Sequence, residues 1–161
     1  MGVLFDQWQI SGIVTLQSGP HVSVYSSGDG FGGRGDFNGD GTLNDRLAYV
    51  GAGSIGTSVR SRVSPADGYF DASSFVPPGA DGRVALGRNV MPAPGFASVD
   101  LALQKVFPMG NSRIEVRAEA FNVTNRVNFA PPITDYVSAD FGRSREADRP
   151  RDIRIAIRYS F

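Results

Sequence analysis

The chain has 161 residues, 16 basic and 16 acidic, and no cysteine. Balanced charge leaves no footprint for a nucleic acid or other polyanion. The lack of cysteine excludes disulfides and thiolate metal sites, and no apolar run approaches the ~20 residues of a membrane helix. The opening MGVLFDQWQI lacks the basic-then-apolar order of a signal peptide, and Asp6 stands where a myristoylation signal wants Ser or Thr. The first periodic segment follows directly. Trp8, Ile10, Gly12, Val14 and Leu16 alternate with Gln7, Gln9, Ser11, Thr15 and Gln17, with Ile13 interrupting the polar face. Period-two alternation of this length predicts a strand near residues 6–17.

Residues 18–96 then read as a very long loop, rich in glycine and proline. Within it, DFNGDGTLND (Asp36–Asp45) has metal-ligand spacing. Asp36, Asn38 and Asp40 occupy alternate positions, Gly41 permits a sharp turn, Thr42 can offer its carbonyl, and Asp45 is a further carboxylate. This matches the first half of an EF-hand-type Ca²⁺ loop, whose hard cation wants oxygen ligands on a tight turn. The bidentate Glu at position twelve is replaced by Leu47. A Ca²⁺ loop and a plain solvated Asn/Asp/Gly turn both remain open. Arg34-Gly35-Asp36 spells an adhesion tripeptide that arises readily by chance. His21, the single histidine, has no nucleophile arranged around it.

Three more alternating segments follow. Val99, Leu101 and Leu103 oppose Ser98, Asp100, Ala102 and Gln104, predicting a strand at 97–107. A tight turn at Pro108-Met109-Gly110-Asn111 leads to a strand at 112–124, where Ile114, Val116, Ala118 and Ala120 oppose Arg113, Glu115, Arg117 and Glu119. After a loop at 125–150, RDIRIAIRYSF predicts a strand at 151–161, with Ile153, Ile155, Ile157, Tyr159 and Phe161 on one parity. The expected fold is all-β and antiparallel, with joins that run long, short, long. That is the pattern of a transmembrane β-barrel with long extracellular loops and short periplasmic turns, and each segment has the length of a tilted spanning strand. The charged row on the third strand would line a wet lumen. In a soluble calcium-binding, possibly glycan-binding β-sandwich, secreted or at the cell surface, it would face water, and that alternative stays open.

The stretches VDLALQKVF (Val99–Phe107) and IEVRAEAFNVTNRVNF (Ile114–Phe129) resemble the C-terminal barrel end of TonB-dependent outer-membrane receptors, in the Oar-like subgroup with a carboxypeptidase-regulatory-like domain. WQISGIVTLQSGP, DFNGDGTLNDR, FDASSFVPP, GRNVMPAPGFASVDL and FGRSREADRPRDIRIAIRYSF extend the likeness over nearly the whole chain. The resemblance implies an outer-membrane location and a barrel segment spanning residues 1–161 without a plug domain. It implies substrate uptake by the whole receptor, with lipid, the remaining barrel and the plug as partners, and contact with TonB only through an N-terminal part. It further implies that Ile155, Ile157, Tyr159 and Phe161 form the signal read by the barrel-assembly machinery.

No catalytic motif stands out. P-loop, GxSxG and HExxH patterns are missing. Glu115 and Glu119 are interleaved with Arg113 and Arg117, as expected of paired surface or lumen charges rather than an acid–base couple. Asn122-Val123-Thr124 spells a glycosylation sequon on a predicted strand, where it reads as coincidence. The expectation is a non-enzyme, with Ca²⁺ as the sole candidate cofactor.

Overall fold

A computed structural model describes residues 6–28, 35–52, 55 and 68–161. Among these, eight strands follow in chain order. They are β1 (Trp8–Gln17), β2 (His21–Val22), β3 (Ala48–Tyr49), β4 (Phe75–Val76), β5 (Met91–Pro92), β6 (Phe96–Met109), β7 (Ser112–Phe121) and β8 (Asp152–Ser160). Two single 3-10 turns, Ala72–Ser74 and Ala80–Gly82, complete the regular structure. No described helix is long and apolar enough to cross a membrane, which leaves strands as the means of crossing. The chain divides into two compact units, 1–17 with 96–128 and 148–161, and 18–95 with 129–147.

The first unit is a four-stranded antiparallel sheet in the order β1-β6-β7-β8. Its strands lie where alternation placed them. β6 and β7 are joined by a two-residue hairpin closed by the Met109↔Ser112 pair, with Gly110 at φ 62°. A left-handed residue is what such a turn asks for, and glycine takes it without a Cβ clash. At the other end, Gln17 pairs with Phe96 and Phe121 with Asp152. Both long connections therefore leave the sheet from the end opposite the hairpin, as the long-short-long joins require. β7 stops at Phe121 rather than 124, because Asn122 turns left-handed at φ 49°.

No second sheet packs on this one within the unit. Ile10, Leu16, Ile155 and Ile157 are each more than 70% exposed. A β-sandwich hides such residues between two inner faces, so the soluble-sandwich alternative is not what this sheet forms.

The second unit corrects the expectation of a plain long loop at 18–96. It has its own core of Val24, Leu47, Phe70, Phe75, Leu86 and Met91, all buried. Residues 129–147 complete it. The Phe141 ring lies 5.5 Å from Phe75, edge-on, and 5.3 Å from Tyr136. Backbone bonds knit the two segments, Tyr25 donating to Thr134 and Tyr136 to Tyr25. Gly142, at φ 77°, passes so close to Phe70 that a Cβ would sit 2.7 Å from its carbonyl oxygen. Burial of each large apolar side chain contributes roughly 1.5–3 kcal/mol, which lets a unit with two-residue strands hold a defined shape.

Candidate functional site

The sheet of the first unit carries two chemically opposite faces, set by the period of two and locked by register. On one face the rows are Trp8–Lys105–Val116–Ile157, Ile10–Leu103–Ala118–Ile155 and Gly12–Leu101–Ala120–Ile153. Val14, Leu16, Ala97 and Val99 extend it toward the long connections, and Phe107, Ile114 and Tyr159 toward the hairpin. Apart from Lys105 and Ser112, the described residues of this face are apolar. Its hairpin end is aromatic: Tyr159 stacks on Phe161 at 5.7 Å between centroids and donates its hydroxyl to Ser112 Oγ at 3.1 Å. The ammonium of Lys105 lies 5.2 Å from the Trp8 ring centroid and 5.4 Å from that of Phe107.

The other face is a charged lattice. Register sets Glu115 opposite Arg158 and Glu119 opposite Arg154. Arg117 holds Glu119 at 2.6 Å along the same strand, and Arg154 reaches Asp152 at 2.7 Å while lying 5.1 Å from the Phe121 ring centroid. Opposite charges across a ladder each contribute roughly 0.2–1 kcal/mol. The row Arg113-Glu115-Arg117-Glu119 is thus an arrangement of paired charges, the expected alternative to an acid–base couple.

Near the long connections this face deepens into a cavity of about 350 Å³, whose walls include Phe96, Asp100, Phe121, Asn122, Arg149 and Arg154. Asn122 anchors it. Its buried side chain donates to the carbonyls of Arg126 at 2.9 Å and Arg149 at 3.3 Å, and its Oδ1 accepts from the Arg126 amide at 3.1 Å. Its own amide donates to Asp100 Oδ1 at 2.8 Å. The sequon asparagine is therefore a structural lock between two chain segments, a role visible in sequence only as a run of turn-forming residues, FNVTN.

The acidic loop gathers all five candidate ligands into one hydrogen-bonded turn. Asp36 accepts from the amides of Gly39 (2.7 Å), Asp40 (3.0 Å) and Gly41 (2.8 Å). Asp45 accepts from the amides of Phe37 (2.7 Å) and Asn38 (2.9 Å), and from Asn38 Nδ2 (3.0 Å). Asp40 accepts from the Thr42 amide at 2.8 Å and from Asn38 Nδ2 at 3.1 Å. The Thr42 amide, followed by the Asn38 side chain, holds the Asp40 carboxyl below its ordinary value of 3.8. The carboxylates thus spend their lone pairs on the loop's own N–H groups. Among the described residues no cluster of three or more Asp, Glu, His or Cys side chains is placed to hold a metal ion. Leu47, at position twelve, is fully buried in the second unit's core. Arg34 of the adhesion tripeptide lies outside the described residues.

In the second connection, Asp140 forms an ion pair with Arg145, which lowers the Asp140 carboxyl and raises the Arg145 guanidinium. Lys105 was not singled out by the sequence reading. Its signal was a lysine falling on the apolar parity of VDLALQKVF.

One apolar face, one charged face and an aromatic band at the hairpin end are what a strand ladder needs to stand between lipid and a wet lumen. Comparison with known proteins agrees. No curated protein and no solved structure gives a significant match. A family model described as outer membrane beta barrel domain matches residues 1–154. The chain belongs to the outer membrane beta barrel domain family and is a protein of the bacterial outer membrane.

Proposed function

We propose that this chain supplies the C-terminal strands of a TonB-dependent receptor of the Oar-like kind, which takes up a scarce extracellular nutrient using energy delivered from the inner membrane. The observation that carries the reading is the four-stranded sheet itself. It presents a lipid-type face, a paired-charge lumen-type face and two open edges. In hydrocarbon each unpaired backbone group costs several kcal/mol, so an open sheet cannot stand there. Four strands are also fewer than the eight of the smallest barrels. The edges of β1 and β8 must therefore meet further strands, and the likeness of EAFNVTNRVNF and its flanking blocks to receptor barrels supports a large barrel of roughly 22 strands around a plug. In that setting the hairpin faces the periplasm and the second unit lies outside the cell. Ile155, Ile157, Tyr159 and Phe161 would be read by the assembly machinery through strand addition at the β8 edge.

The test is genetic and chemical together. Deleting the gene should abolish growth on, or uptake of, a specific macromolecular or oligomeric nutrient, and removing TonB should reproduce the loss. Uptake that persists unchanged without TonB would refute the transport reading while leaving the barrel intact.

A further inference from the structure

On the apolar face, β7 offers only methyl groups at Ala118 and Ala120. Its neighbours offer Leu101 and Leu103 on β6, and Ile153 and Ile155 on β8. A column of alanines between two columns of branched side chains is a trough. It consists of two adjoining hollows of about 310 and 220 Å³ that share Leu103 and Ala118. The hollow nearer the hairpin is bounded by Trp8, Lys105 and Phe107.

Lys105 is the only lysine of the chain and the only charged side chain on this face among the described residues. It is 3% exposed, donates to the Asp6 carbonyl, and lies against the rings of Trp8 and Phe107. A carbonyl dipole and two ring faces solvate an ammonium, but they do not neutralise it. A cation on the lipid face is unfavourable in proportion to its depth.

We propose that the trough binds one anionic glycerophospholipid, its phosphate at Lys105 and an acyl chain lying along Ala118 and Ala120. The polarity of the site fits a lipid and no soluble anion. The cation is at the end near the aromatic band, where headgroups lie, and the trough runs from it toward mid-strand, where tails lie. A chain in the trough touches protein on three sides, and so gains more dispersion contact than one on a flat face. Charge complementarity selects an anionic headgroup over a zwitterionic one. The inference rests on the family's placing of this face in lipid and is independent of the transport proposal.

Trp8, the single tryptophan of the chain, borders the site and reports on it. The protein is folded into phosphatidylcholine vesicles containing a minor fraction of acyl-brominated phosphatidylglycerol or, separately, acyl-brominated phosphatidylcholine. The difference from a Trp8→Phe variant isolates the Trp8 signal. The expected result is an enrichment of the brominated anionic lipid beside Trp8 by about fivefold, kept in Lys105→Arg and lost in Lys105→Gln. Equal quenching by the two lipids in the unaltered protein would overturn the proposal, as would a preference that survives in Lys105→Gln. If Lys105→Gln fails to fold, competition decides the matter: unlabelled phosphatidylglycerol must relieve the quenching more than unlabelled phosphatidylcholine does, and equal relief overturns the site. Absence of quenching by either lipid would refute the membrane placement as well, which distinguishes that failure from a simple lack of headgroup preference.

Discussion

Ile155 sits in the middle of β8 on the apolar face, 72% exposed, paired with Ala118. Replacing it by arginine separates a lipid environment from an aqueous one. On a water-exposed sheet such a change stays within about ±0.5 kcal/mol. At the bilayer midplane a lipid-facing arginine costs roughly 2–4 kcal/mol, a drop of about 30- to 1,000-fold in the folding equilibrium constant at tenfold per 1.4 kcal/mol. Ser11→Arg is the matched control, because Ser11 is exposed on the opposite face, across from Ala102, where the lumen tolerates charge. Urea titrations in vesicles, read by tryptophan emission and by heat-modifiable gel mobility, should show Ile155→Arg strongly destabilised and Ser11→Arg close to the parent. A neutral Ile155→Arg paired with a damaging Ser11→Arg would mean that the faces are inverted, and the membrane reasoning would fail.

Two further outcomes follow from the loops. Asn122→Ala removes a left-handed asparagine together with its side-chain bonds to Arg126 and Arg149. It should cost about 2–3 kcal/mol, from roughly 1 kcal/mol of backbone strain and about 1 per buried hydrogen bond. Asn122→Gly should recover only the backbone share, and the same titrations measure both. In the acidic turn, the depressed Asp40 carboxyl contributes order that is complete above its unfolded value of 3.8 and is lost as pH falls through the lower folded value. Amide exchange at Gly39–Thr42 should therefore quicken only in strong acid. A marked slowing on adding Ca²⁺ at neutral pH would establish the EF-hand-like alternative over the self-satisfied turn.

The strands of the first unit were legible because a half-buried or two-faced strand writes its period into the sequence. WQISGIVTL, VDLALQKVF, IEVRAEA and IRIAIRY alternate so regularly that position, length and face follow from parity alone. The hairpin was legible because Gly110 and Asn111 are the residues a two-residue turn uses. The second unit was not legible. Its strands are two residues long, too short to show any period, and its core joins Leu47, Phe75 and Met91 to Phe141 across wide sequence gaps. Such a core comes from loop closures that no local window can see. Asn122 read as a strand residue within a coincidental sequon, because its importance lies in partners at 126 and 149.

By itself, then, the sequence determined the all-β class, the four long strands, the identity of their two faces and the end from which both long connections depart. All of these depend on alternation and turn chemistry, which act between neighbours. Only the tertiary structure decided that 18–95 and 129–147 condense into one core, that the acidic loop closes on its own amides, and that a lone lysine ends a trough of alanines. Each of these depends on side chains brought together from separate strands or segments, and that proximity is created by register and packing rather than by order along the chain.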